Sequence, residues 1–149
     1  MQKAIQHIKN ELNGIYATDE IQSFTYILLS HITGYSKVDI IVNKNTIFSD
    51  VQRAMLNSFV NKLKIHTPIQ YIVGKTEFYG FPFLVTDSVL IPRPETEELI
   101  EWITESCVKY NESNLLDVGT GSGCIAVSLA HLFPKAKVTA FDISDDALK

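Results

Sequence analysis

Cysteine is scarce. Cys107 and Cys124 are the two present, 17 positions apart and without CxxC spacing, so the chain has neither a disulfide framework nor a zinc signature. His7, His31, His66 and His131 are scattered singly, with no second ligand at helical or ribbon spacing, and read as surface or core histidines rather than metal ligands. No apolar run approaches the ~20 residues that a bilayer helix needs. The N-terminal run Met1-Gln2-Lys3-Ala4-Ile5-Gln6-His7 turns polar before a signal-peptide core could form. Also missing is a dense basic stripe, so direct nucleic-acid binding is not expected. These absences leave a soluble cytosolic protein as the expectation, without a membrane span.

The 149 residues do contain enough apolar material, 46%, to build a packed core, which excludes disordered and collagen-like classes. Charge is unevenly divided. Residues 1–68 hold seven Lys/Arg against five Asp/Glu, whereas residues 69–149 hold six against twelve, giving +2 and −6 and together the overall −4. The asymmetry points to two parts, and the basic first part could bias docking toward an acidic partner.

The first part is patterned for helices. Ile5, Ile8, Leu12 and Ile15 recur at steps of three and four, with Gly14 placed for a C-terminal cap. Thr18 is positioned to cap a second helix, with Asp19 and Glu20 in its first turn and Ile21, Phe24, Leu28 and Ile32 along one face. Gly34 ends it. A short helical turn is expected over residues 36–42, then a longer helix capped by Ser49, carrying Val51, Met55, Phe59 and Leu63 and stopped by Pro68. Such amphipathic helices bury their stripes against one another as a small bundle.

After Pro68 the period changes. Residues 76–85 are aromatic and β-prone, and Phe81, Phe83 and Val85 alternate to one face beyond Gly80, which predicts a hairpin. In the run Leu90-Ile91-Pro92-Arg93-Pro94-Glu95-Thr96-Glu97-Glu98-Leu99, two prolines force an extended entry and Pro94 suits a first helical position. Glu95, Glu97 and Glu98 complement the helix dipole, and Leu99, Trp102 and Ile103 supply an apolar stripe. The rest is α/β. Residues 114–118 form a strand, 119–123 a glycine-rich turn, 124–133 a helix with Ile125, Leu129 and Leu132 inward, and 137–142 a second strand, with Ser144 placed to cap a further helix.

Chemistry concentrates in Asp117-Val118-Gly119-Thr120-Gly121-Ser122-Gly123. Between a strand and a helix, such glycines permit a tight turn and let a ligand approach the backbone, and the helix N-terminus offers N–H groups to a negative group. A dinucleotide fingerprint would need glycine where Cys124 stands, so the spacing is GxGxG rather than GxGxxG; a P-loop lysine is also absent. Asp117 closes the first strand and Asp142 the second, 23 residues after Gly119. A carboxylate at the latter position accepts hydrogen bonds from both hydroxyls of a ribose, and an acid before the turn suits a cationic amine. S-adenosylmethionine carries both groups. Asp117 has a second reading as a cap for nearby backbone N–H groups. Cys124 reads as a small packing residue, although a helix N-terminus can lower a thiol pKa.

The Asp117–Gly123 loop resembles the cofactor loop of Rossmann-like S-adenosylmethionine-dependent methyltransferases. Gly74-Lys75-Thr76-Glu77-Phe78-Tyr79-Gly80 and Val89-Leu90-Ile91-Pro92-Arg93-Pro94-Glu95-Thr96-Glu97 more specifically resemble the peptide chain release factor glutamine methyltransferases. With the helical N-terminal part, the likeness covers essentially the whole chain. It implies methylation of the glutamine side-chain amide in the Gly-Gly-Gln tripeptide of translation release factors. It also implies a helical domain that helps dock the protein substrate. Carried over by position, Gly119, Thr120, Gly121, Ser122 and Gly123 would line the methionine moiety of the cofactor and Asp142 its ribose, with Asp117 beside them and Arg93 shaping the site or forming a structural ion pair.

One departure stands out. The family's Asn-Pro-Pro-Tyr signature does not occur in this sequence, so no catalytic residue is assigned here. An amide nitrogen is a poor nucleophile because its lone pair is delocalised, and the family aligns it for in-line transfer through that Asn side chain and a proline carbonyl. The resulting expectation is α + α/β: a helical substrate-docking bundle over 1–68, a connecting hairpin over 69–90 and the truncated start of a methyltransferase sheet over 91–149. Such a chain would be the N-terminal part of an enzyme and catalytically silent alone. Two alternatives stay open, a helical protein-binding module without catalysis and an adenine amino-methyltransferase, the latter disfavoured by the missing basic surface.

Overall fold

The computed structural model describes residues 1–107 and 114–148. In chain order it contains α1 (Gln2–Leu12), α2 (Thr18–Thr33), α3 (Lys37–Val42), α4 (Asp50–Lys64), α5 (Ile69–Val73), β1 (Lys75–Phe78), β2 (Phe81–Leu84), α6 (Pro94–Cys107), β3 (Asn114–Val118), α7 (Cys124–Leu132) and β4 (Lys137–Phe141). The order is the predicted one: helices, then a hairpin, then the start of an α/β region. Two compact units divide at Val73/Gly74. Among the described residues no helix is long and apolar enough to cross a membrane.

In the first unit each helix buries one stripe. Ala4, Ile8 and Leu12 of α1 meet Ile21, Leu28 and Leu29 of α2 and Leu56, Val60 and Leu63 of α4 in one core, completed by Met1, Ile40, Phe48, Ile69 and Ile72. Each fully buried Leu or Ile there contributes about 1.5–3 kcal/mol of transfer free energy. The helix ends use several devices. Gly34 adopts the left-handed conformation (φ 73°) that closes α2. Ser36 with Asp39, and Ser49 with Gln52, form reciprocal capping boxes at the starts of α3 and α4.

Three local expectations are corrected. The residue at the N-cap of α2 is Ala17, with no side-chain cap; Thr18 is already helical, and acidic Asp19 and Glu20 supply the favourable charge. On α4, Val51 and Met55 are 73% and 40% exposed, because the core-facing row runs through Leu56, Val60 and Leu63. Both rows have helical spacing, so periodicity alone does not choose between them. The helix also ends at Lys64, before Pro68, with His66 taking a positive φ.

In the second unit β1 and β2 pair antiparallel, Phe78 opposite Phe81, through Tyr79 and Gly80. Both turn residues have positive φ, 50° and 76°, as a two-residue hairpin of matching twist requires. Residues 69–73, immediately before it, are helical. Strands β3 and β4 are parallel, Asp117 opposite Ala140 and Val118 opposite Phe141, and α7 packs on them. Phe78, Phe83, Ile100, Cys124, Leu129 and Phe133 form the second core, with Leu115, Ile125, Leu132 and Val138 against it. On α6 the buried position is Ile100, whereas Trp102 is 67% exposed, so the predicted stripe is displaced. Leu116, Val118 and Phe141 stay exposed. Residues 145–148 form a turn rather than the expected helix, and Ser144 Oγ accepts the Ala147 N–H at 3.3 Å.

Candidate functional site

The glycine loop is held by the strands on both sides of it. Gly119 and Thr120 both donate their backbone N–H to the carbonyl of Phe141, at 2.8 and 3.0 Å, which continues the β3–β4 pairing past the end of β3. Gly123 then donates to Thr120 O at 2.9 Å, closing the turn into α7. Gly119, Gly121 and Gly123 have φ of 77°, 54° and 76°, a region that costs other residues about 1–2 kcal/mol. A Cβ added at Gly119 or Gly121 would meet nothing within 4 Å, so conformation rather than crowding explains these glycines and the loop stays open to an approaching group.

Asp117 performs the capping that Gly123, at the N-cap of α7, cannot. Its Oδ2 accepts the N–H of Ala126, in the first turn of α7, at 3.2 Å and the hydroxyl of Thr120 at 2.7 Å. One carboxylate oxygen thus joins strand end, loop and helix start, satisfying a terminal N–H of the helix. Among the described residues Oδ1 of Asp117 takes no donor. Thr120, within the loop, is buried.

Asp142 lies just beyond β4 and uses both oxygens. Oδ2 accepts the Gly121 N–H at 2.8 Å and Oδ1 the Ser144 N–H at 2.9 Å. Donation from Ser144 and Gly121 holds its carboxyl below the usual carboxylate range, so the anion is present at neutral pH. Each carboxylate oxygen has two lone pairs, so acceptor capacity remains on both after these bonds form.

Cys124 is buried, and burial pushes its thiol up, with the nearby Asp117 charge adding to the effect. That outweighs the hydrogen bond from Ser122 and supports a packing role over a nucleophilic one. Arg93 is exposed immediately before α6 and, among the described residues, makes no ion pair. Glu97 lies in the first turn of α6, where it complements the helix dipole, and its Oε1 also accepts the Tyr79 N–H at 2.7 Å, fastening the hairpin turn to α6. Eighteen residues separate the two, beyond any local sequence signal.

Comparison with known proteins bears on this arrangement. The family profile described as PrmC N-terminal domain matches residues 3–74, and the profile described as Methyltransferase small domain matches residues 95–149. A release factor glutamine methyltransferase of Flavobacterium psychrophilum is 44% identical over 140 residues, covering 92% of this chain and 49% of the relative. One from Bacteroides thetaiotaomicron is 41% identical over 150 residues, 99% of this chain and 52% of the relative. One from Koribacter versatilis is 60% identical over 82 residues, 55% of this chain and 29% of the relative.

The chain resembles release factor glutamine methyltransferases over nearly its whole length. It spans about half the length of the first two of those relatives. The PrmC N-terminal domain profile ends at the boundary between the compact units, and the Methyltransferase small domain profile contains Asp117, the glycine loop and Asp142. Among the described residues no group of His, Cys, Asp and Glu could hold a metal ion.

Proposed function

We propose that this chain forms the cofactor-holding and substrate-docking part of a cytoplasmic enzyme that methylates the Gly-Gly-Gln glutamine of translation release factors with S-adenosylmethionine. The observation that carries the reading is Asp142: an ionised carboxylate at the end of the second parallel strand, hydrogen-bonded to Gly121 in the glycine loop. Open α/β sheets bind ligands at such strand ends. The names of the relatives support the substrate class.

The donor set fits the cofactor chemically. Asp142 would accept from the ribose hydroxyls and Asp117 Oδ1 would face an ammonium, while the loop from Gly119 to Gly123 would line the methionine part. Bound there, S-adenosylmethionine would supply an electrophilic methyl on a sulfonium. The residues of this chain orient that ligand; the amide-aligning Asn-Pro-Pro-Tyr run is not among them.

Calorimetric titration of the chain with S-adenosylmethionine tests the reading. Saturable one-to-one binding that Asp142→Ala abolishes is expected. Absence of binding at millimolar ligand overturns it. Incubation with methyl-labelled cofactor and a release factor should leave the glutamine unmodified, and turnover by this chain alone would contradict its assignment as a holding and docking part.

A further inference from the structure

The helical unit carries a groove of about 670 Å³ where the start of α1, the segment between α3 and α4, and the first half of α4 come together. Its charge is one-sided. Lys3, Lys44 and Arg53 line it, three of the seven Lys/Arg in that unit, and none of the unit's five Asp/Glu does. Arg53 is partly committed, to Asp50 and to the Phe48 carbonyl. Lys3 and Lys44 are exposed and, among the described residues, paired with no carboxylate. Apolar groups share the lining: Phe48 and Leu56 reach it from the core, and Ile47, 87% exposed, stands at the same segment.

We infer that this groove docks an extended acidic segment of the protein substrate in which apolar side chains alternate with carboxylates. The inference rests on the proposed function insofar as the partner is a protein. Two available lysines without a competing carboxylate attract a carboxylate chain and disfavour a basic one. The mixed lining favours a peptide over a nucleic acid, whose phosphate backbone calls for a longer run of cations. An exposed isoleucine beside those cations gives an apolar side chain a place to bury.

Fluorescence anisotropy of a short labelled peptide of alternating glutamate and leucine, titrated with the full chain, tests this. Binding is expected, weakening with added salt and falling at least tenfold in the Lys3→Glu, Lys44→Glu double variant. The Lys9→Glu, Lys62→Glu variant changes net charge equally at exposed positions outside the groove and should stay within about twofold of wild type. No binding, equal losses in the two variants, or tighter binding of a single-stranded oligonucleotide than of the peptide would overturn the inference. S-adenosylmethionine titration of the same variants separates the two claims. Loss of peptide binding with cofactor binding intact strikes the groove alone; absent cofactor binding with the peptide still bound strikes the methyltransferase reading alone.

Discussion

Gly121 donates its backbone N–H to Asp142 Oδ2 at 2.8 Å, so the middle of the glycine loop is fastened to the residue just after β4. The bond couples the proposed ribose acceptor to the proposed methionine cradle. Asp142→Asn keeps the size of the side chain but removes its charge and sets an NH2 group against one of two N–H donors. Charge-assisted hydrogen bonds contribute about 1.5–3 kcal/mol. S-adenosylmethionine affinity should therefore fall about tenfold or more while the far-ultraviolet circular dichroism is retained, as calorimetry on wild type and variant will read.

The same contact gives a pH signature. Because Ser144 and Gly121 hold the Asp142 carboxyl below its ordinary 3.8, the amide resonance of Gly121 should titrate with a midpoint under that value in a proton–nitrogen NMR series. A midpoint at or above 3.8 would be inconsistent with the bond.

Thr120→Val tests the support within the loop. Valine keeps the shape but removes the hydroxyl that reaches Asp117 Oδ2, leaving that oxygen with the Ala126 N–H alone. A loss of about 1–3 kcal/mol in stability of the second unit is expected, by urea denaturation, and Thr120→Ser should recover most of it.

In the helical unit, the Ser36 hydroxyl and backbone N–H lower the Asp39 pKa from 3.8. The folded value lies below the unfolded one, so the unfolded state binds more protons between the two. The contribution is present above 3.8 and lost as pH falls through the folded pKa. The stability gap between wild type and Asp39→Asn should accordingly be full at pH 6 and shrink as acid is added below 3.8, measured by urea midpoints.

Leu63→Ala and Val51→Ala separate the two rows of α4. Leu63 is fully buried, and its truncation should cost about 2–5 kcal/mol. Val51 is 73% exposed, and its truncation should stay within about 0.5 kcal/mol, by thermal unfolding of each variant.

That pair also marks what was legible in the sequence. The strand at 114–118, all but the last residue of the one expected at 137–142, the hairpin turn at Gly80 and the capping Ser49 all carry local chemistry, and each forms where its residues direct. Which row of α4 turns inward depends on where α1 and α2 lie, and the Trp102 position depends on what packs against α6; neither is a property of a short window. At the site, Asp117 and Asp142 were visible as strand-end acids. Their partners were less so: Thr120 sits three residues from Asp117, within local reach, whereas the bonds from the Tyr79 N–H to Glu97 and from the Gly121 N–H to Asp142 span 18 and 21 positions.

Phe141 O receives the amides of both Gly119 and Thr120, and that carbonyl lies at the end of a strand synthesised after the loop it holds. On a translating ribosome the loop must wait for β4 to emerge before it can take its shape. Its ordering is therefore timed by elongation across residues 137–141, and a pause before that stretch would prolong the interval in which Asp117 and the glycines are still unorganised.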